Sequence, residues 1–370
     1  MTSVAFHVDQ PFSRVPGGMG TYVRELVPAI AALDPELDLT LFHSRFARAP
    51  ETWMTRFRRV ALPQRIRTLY PSWALLGRPP LPPPLDRADL IHAPSPSAVP
   101  PVRPGQRLVV TVHDVAFRLH PAMYPPPWRA LYRLGLRRAL RRADAILAPS
   151  RHTAEDLVRS GAERRRVHVT PLAASLPSPS EDPEPVLDGL EIPRPYLLFV
   201  GTLEPRKNLV RLVRAYRRAI DAGGLTHGLV LAGPLGWKAG PVHREIAVPG
   251  PGRIALTGRV DAPTLDALYR GADLFCYPSL YEGFGLPVLE AMARGVPVVC
   301  SNTSSLPEVA GSASVQVDPT SVPDLSDAIA RILGDAAERD RLAAAGPVRA
   351  ATFSWEHTAN ETLAAYREVG

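Results

Sequence analysis

The sequence is poor in cysteine: Cys276 and Cys300 are the only two in 370 residues. One pair cannot build the disulfide framework of a small secreted scaffold. Each lies in an apolar, strand-like run (DLFCYPS, PVVCSN), so two buried thiols in a reducing cytoplasm are expected. No apolar stretch approaches the ~18 residues of a membrane span. The opening MTSVAFHVDQ lacks the charged head and apolar core of a secretory signal. Asp-x-Asp occurs nowhere and no Cys/His cluster has metal-ligand spacing, so no divalent metal is expected. Walker and Gly-x-Ser-x-Gly sequences are also missing. Lysine is nearly absent, with only Lys207 and Lys238 among 43 basic side chains.

What is present is 45% hydrophobic and 21% charged, a globular composition that excludes a disordered or fibrous chain. The length suits two domains at ~150 residues each. The net charge of +7 is unevenly spread. Residues 1–175 carry 25 arginines against 13 acids, a net of +12, while residues 176–370 sum to −5. A different partner for each half is implied.

Short apolar runs alternate with amphipathic stretches in both halves. The first half offers strands at Val4–Val8, 39–44, 89–94, 107–114, 144–150 and 166–172, with a helical face of Tyr22, Val23, Leu26 and Ile30. The Pro- and acid-rich segment 176–195 breaks the pattern and reads as a linker. Strands then recur at 196–202, 228–234, 253–259, 273–279 and 296–302. Helices lie near 207–222, 262–271, 285–294 and 322–334, and an amphipathic helix closes the chain. The expected fold class is α/β, with two doubly wound, Rossmann-like domains facing across a cleft. Ligands in such sheets sit beyond the carboxyl ends of strands, so the strand-end loops hold the candidate chemistry.

Four loops stand out. In YEGFGLPVLEAMARGVPVVCSN (281–302), Glu282 follows a strand, Gly283 and Gly285 frame a turn into a helix, and Glu290 follows. Free N–H groups at a helix start suit phosphate or sugar oxygens, and two carboxylates suit sugar or ribose hydroxyls. A capping acid plus a solvated glutamate is the competing reading. In VGTLEPRKNLVRLVRAY (200–216) a strand ends at Gly201, and Arg206 and Lys207 stand at a helix mouth. There they oppose the dipole unless an anion, such as a diphosphate, sits between them. A surface pair beside a capping Asn208 is the alternative. The loop PGGMGTY (16–22) offers Gly17, Gly18 and Gly20 for close backbone approach, or simply a tight turn. His113-Asp114 ends an apolar run, where His113 serves a sugar hydroxyl, a proton transfer or only the structure.

Together these segments resemble the retaining glycosyltransferases of family 4, over nearly the whole chain. EGFGLPVLEAMARGVPVV holds that family's Glu-seven-Glu motif, and GTLEPRKN, APSRHTAEDL (148–157) and FSWEHTA are similar to its other signatures. The resemblance implies the GT-B fold, with an acceptor-binding domain at 1–175 and a nucleotide-sugar domain at 196–353. The terminal helix, 354–369, would cross back to the first domain. It also implies roles: Gly17 and Gly18 facing the donor diphosphate, His113 on the transferred sugar, and Arg206 and Lys207 stabilising the departing nucleotide. Gly201 would line the donor site, Glu282 would hold the donor sugar, and Phe284, Gly285 and Leu286 would present N–H groups. Glu290 would bind the ribose, and Val260 falls where the base-contacting loop lies. The implied reaction is metal-free, cofactor-free transfer of a hexose with retention, on the same face of the sugar.

VHDVAF and EPRKN look most like the family's mannosyltransferases, which points to GDP-mannose. A UDP-sugar transferase and a GT-B epimerase are the readings within the fold, and a non-catalytic polyanion binder the reading outside it. The acceptor is a glycan, a lipid-linked saccharide or a small molecule. RFRRVALPQRIRTLYPSW (56–73) and WRALYRLGLRRALRR (128–142) mix arginine with aromatic and aliphatic residues. Such surfaces meet anionic lipid headgroups at the inner face of a membrane. Nucleic acid and a merely solvated face around a core helix are the alternatives, and the cleft motifs turn the expectation away from nucleic acid.

Overall fold

The computed structural model describes residues 2–13, 17–46, 49–175, 182–222 and 224–370. The chain divides into two units, Met1–Leu172 with Ser354–Gly370, and Ala173–Phe353.

The first unit is built on an all-parallel sheet of seven strands. These are β1 (Ser3–His7), β2 (Asp38–His43), β3 (Arg58–Ala61), β4 (Leu90–Ala93), β5 (Arg107–Thr111), β6 (Ala145–Ala148) and β7 (Val167–Val169). Their spatial order is β3-β2-β1-β4-β5-β6-β7, so the winding direction switches between β1 and β4. Helices α1 (Gly17–Leu33), α2 (Ile66–Leu76), α3 (Ala116–Leu119), α4 (Pro126–Arg142) and α5 (Arg151–Arg159) belong to the connections. The central strands are buried along most of their length because helices cover both faces. Every residue of β4 and β6 is buried.

The second unit begins with α6 (Glu184–Asp188) and carries a six-stranded parallel sheet. Its elements are β8 (Tyr196–Val200), α7 (Leu209–Asp221), β9 (Gly228–Ala232), α8 (Gly240–Ala247), β10 (Ile254–Gly258), α9 (Ala262–Arg270) and β11 (Leu274–Tyr277). Then come α10 (Leu286–Ala293), β12 (Val298–Ser301), α11 (Leu306–Ala310), β13 (Val315–Val317), α12 (Val322–Gly334) and α13 (Ala336–Ala350). The order β10-β9-β8-β11-β12-β13 is that of a dinucleotide-binding sheet, switching between β8 and β11. Cys276 and Cys300 are free thiols buried on the neighbouring strands β11 and β12. The chain ends with α14 (Trp355–Val369), which packs along α1 in the first unit. Ser354 caps it by accepting a hydrogen bond from the N–H of His357.

Two local expectations change. The glycine segment 16–22 is not a loop over its described residues, since α1 already starts at Gly17. Glycines cost a helix ~1 kcal/mol each, but Tyr22, Val23, Leu26, Val27 and Ile30 bury one face of α1, and that packing outweighs the cost. Part of the expected linker is helical too: Pro183 and Pro185 occupy the cap and first turn of α6, where proline is tolerated. Leu187 anchors that helix in the core. Linker residues 176–181 lie outside the described residues.

Candidate functional site

The switch between β8 and β11 brings the loops after those two strands side by side, and three of the candidate residues meet there. Arg206 donates from Nη1 to the Glu282 carboxylate (Oε2, 2.7 Å) and to the carbonyl of Tyr281 (2.9 Å). Lys207 donates from Nζ to the other Glu282 oxygen (Oε1, 2.6 Å) and to the Tyr277 hydroxyl (2.5 Å). The anion between the two cations is therefore a side chain of the protein itself. A second carboxylate, Glu204, accepts from Nη2 and Nε of Arg206 at 2.9 and 3.1 Å. Two cations and two carboxylates balance in a nearly dry cluster, in which Lys207 and Glu282 are 7% and 6% exposed.

Main-chain bonds fix the cluster. The N–H of Leu280 donates to the Arg206 carbonyl, and Asn208 donates from Nδ2 to the carbonyls of Pro278 and Pro319. Asn208 adopts a left-handed conformation (φ 62°), which lets α7 start directly after the cation pair. Behind Glu282, the hydroxyl of Ser304 accepts its N–H, and that of Ser305 donates to its carbonyl and to that of Phe284. Burial pushes the Glu282 carboxyl up, but Arg206 and Lys207 hold it down at about 2. Burial and then Arg206 lower the Lys207 ammonium, against the opposing pull of Glu282.

Just beyond, Gly285 caps α10 with φ +115°, and a Cβ there would lie 2.6 Å from a Leu306 methyl. Only glycine suits that turn. A helix leaves its first N–H groups without partners inside the helix, and here those positions belong to Gly285, Leu286 and the N–H-less Pro287. Phe284 is buried with its ring edge-on to Phe353. On the second turn of α10, Glu290 accepts from the Tyr269 hydroxyl at 2.9 Å, and burial raises its pKa. An aromatic row joins the two carboxylates from below: Tyr277, Phe275 and Tyr269 succeed one another with ring centres 5.7 and 5.6 Å apart. Gly201, at the end of β8, comes so close to Gly233 that a Cβ on Gly233 would lie 2.1 Å from the Gly201 oxygen. Val260 sits half-buried in the loop between β10 and α9.

The remaining candidates belong to the first unit. Gly17 and Gly18 form the exposed first turn of α1. One turn on, the Tyr22 ring meets His113 edge-on at 4.8 Å. Burial lowers the His113 imidazole to about 4, and the ring is hydrogen-bonded to the backbone of Pro94. Proline has no N–H, so the ring donates to the carbonyl. The buried Nε2 has no partner, which leaves it as an unprotonated acceptor. Beneath lies a row that sequence reading missed. Tyr366 on α14 bonds His92 Nδ1 (2.5 Å), His92 Nε2 bonds Thr111 (2.7 Å), and Thr111 bonds Tyr22 (2.7 Å).

Glu204, Tyr277, Ser304 and Ser305 were likewise not singled out. Glu204 had a local signal, two residues before Arg206 in LEPRKN; the serines had none, because their role is to hold the main chain of another loop. Among the described residues no group of three His, Cys, Asp or Glu side chains could hold a metal ion.

The family model for glycosyltransferase family 4 matches residues 16–176, and that for glycosyl transferases group 1 matches residues 189–349. The O-antigen chain mannosyltransferase B of Escherichia coli is 33% identical, over 95% of this chain and 96% of its own. Among solved structures, sucrose-phosphate synthase of Thermosynechococcus elongatus superposes with a TM-score of 0.77 at 21% identity, over 100% of this chain and 99% of that one. HepE of Anabaena, solved with UDP-glucose, gives 0.74 at 18% identity over the whole of both chains. Those two share the fold, the GT-B arrangement of two Rossmann-like units. Sheet order, strand-end loops and relatives converge, and the chain belongs to glycosyltransferase family 4.

Proposed function

We propose that this glycosyltransferase moves mannose from GDP-mannose to a glycan acceptor, with retention at the sugar carbon and without a metal. The observation that carries the reading is the buried Arg206–Glu282–Lys207 cluster at the β8/β11 switch. A departing diphosphate gains negative charge as the glycosidic bond breaks, and preorganised cations stabilise that charge more than the ground state. Arg206, its fork held by Glu204, Glu282 and the Tyr281 carbonyl, would act through its fixed charge. Lys207 uses two of its three N–H bonds on Tyr277 and Glu282, which leaves the third for a phosphate oxygen. The open N–H groups at the start of α10 add a second source of positive potential.

Glu282, ionised at every working pH, would accept hydrogen bonds from hydroxyls of the donor sugar. Glu290, steadied by Tyr269, would take those of the ribose. His113 is neutral at pH 7, so its role would be to accept a sugar hydroxyl at Nε2 rather than to supply a proton. With no acidic group assigned to the reacting face, the leaving phosphate oxygen would take the acceptor's proton. The choice of mannose leans on the mannosyltransferase relative.

The test is a thermal-shift panel of GDP-, UDP- and ADP-sugars with EDTA present, followed by anomer assignment of any product by NMR. GDP-mannose should stabilise the protein in EDTA and give an α-linked product. Stabilisation by UDP-sugars alone would replace the donor. Loss of binding in EDTA, a β-linked product, or donor isomerisation without acceptor would each overturn the corresponding part of the mechanism.

A further inference from the structure

The cation pair of the second unit is neutralised from within, and the two carboxylates that do so are not equivalent. Glu282 bridges Arg206 and Lys207. Glu204 instead addresses the far side of the Arg206 guanidinium, where one of its oxygens accepts from Nε and Nη2 at 3.1 and 2.9 Å. Nη1 is already spent on Glu282 and on the Tyr281 carbonyl. The Glu204 side chain is buried, and its main chain is held on both sides. Its carbonyl accepts the N–H of Lys207. Just before it, Leu203 is laced to the loop after β9: its N–H donates to the Pro234 carbonyl, and its carbonyl accepts the Gly236 N–H. The contact is tight enough that a Cβ on Gly236 would lie 3.3 Å from the Glu204 Cβ and 2.6 Å from the Thr202 methyl. Two strand-end loops thus hold one carboxylate against one guanidinium.

We propose that Glu204 is a resident counter-anion that limits the grip of this cluster on the donor diphosphate and speeds departure of the nucleoside diphosphate product. The inference rests on the reading of Arg206 and Lys207 as the diphosphate site. Glu204 acts through Arg206 and is therefore a positioning residue. Its charge and that of Glu282 bring the cluster to zero, so an incoming diphosphate meets a carboxylate on the guanidinium it is drawn to. Without that charge the cluster would be positive and would hold substrate and product alike more firmly. Binding both more firmly adds nothing to the rate of the chemical step, and slow product release limits many enzymes. Glu282 cannot serve in its place, because its loss would unfasten Lys207 as well as Arg206.

The experiment is calorimetric titration of the whole chain with GDP and with GMP, or with UDP and UMP should the sugar panel select uridine. E204Q keeps an oxygen for Arg206 but removes the charge. It should bind GDP about tenfold more tightly than the parent, mainly through slower release, and tighten on GMP by less. General damage to the site would weaken binding, so the sign separates this role from a merely structural one. Ligand-free E204Q carries a buried cation in excess, so it should melt lower than the parent and gain more from GDP. Should E204Q alone fail to fold, a second background decides. R206Q should weaken GDP binding, and R206Q with E204Q, in which Lys207 and Glu282 still balance, should bind GDP more tightly than R206Q. K207Q tests the underlying site and should weaken GDP binding about tenfold. If K207Q weakens binding while E204Q tightens it in neither background, the role of Glu204 is overturned and the diphosphate site stands. If K207Q and R206Q both bind GDP as the parent does, the site and the role fall together.

Discussion

Glu282 is the residue on which the second unit's charge balance turns. Replacing it with glutamine keeps the shape but leaves Arg206 and Lys207 buried with one carboxylate fewer. A loss of about 3 kcal/mol is expected, measured as a lower urea midpoint. The same residue sets an acid limit. In the unfolded chain a glutamate takes its proton near ~4.3, but here the carboxyl waits until about 2. The unfolded state therefore binds more protons in that interval. The stability Glu282 contributes is intact at neutral pH and drains away as pH falls from about 5 towards 2. The histidines act higher on the scale. Burial lowers His92 to about 3 and His113 to about 4, against ~6.5 unfolded. Their contribution is complete above that value and lost on acidification. His92→Gln should flatten the fall in urea midpoint between about pH 6 and 4. At neutral pH it should cost about 1–2 kcal/mol through the bonds to Tyr366 and Thr111. A midpoint with the parental pH slope would refute that assignment. At this scale the sequence was legible for residue identity and not for pairing. Arg206 and Lys207 demanded an anion, but nothing in a linear pattern shows that Glu282, 75 residues on from Lys207, supplies it.

Elements were legible where burial is complete. GLVLA and LFCY read as strands because helices cover both faces and leave no polar alternation to confuse the period. β3, with the sequence RRVA, was missed because an edge strand with two arginines has no apolar period. α13 was missed because its interior carries Gly346 and Pro347, ordinarily helix-breaking residues. α6 was hidden by prolines that sit only at its first turn. Glycine inside a helix usually costs stability, and replacing it with alanine gains ~1 kcal/mol. Gly135 of α4 should do the opposite. A Cβ there would lie 2.0 Å from the Pro96 oxygen, which is backbone and cannot turn aside. Gly135→Ala should therefore cost about 2–3 kcal/mol, seen as a melting temperature several degrees lower. A neutral or stabilising result would mean that α4 can lift from the Pro96 segment.

At the scale of the whole molecule, the charge asymmetry read from composition belongs largely to the first unit, and within it to α2 and α4, which hold no acidic residue. The second unit is one uninterrupted length of chain, whereas the first is made of both ends. A chain ending at Phe353 would lack α14, and with it Tyr366, Leu363 and Ala359, all buried in the full protein. Hydrogen exchange should show the first sheet deprotected in that shortened chain and the second sheet as slow as in the parent. Equal protection of both sheets would show α14 to be dispensable. The arrangement also reverses an ordinary order of events. Domains made on a ribosome generally fold from the N-terminus onward. Here the segment that completes the first unit is synthesised only after the whole of the second unit. The unit encoded second can thus reach its native state before the unit encoded first. In that interval α1 and the His92 side of the first sheet lack the cover that α14 later supplies.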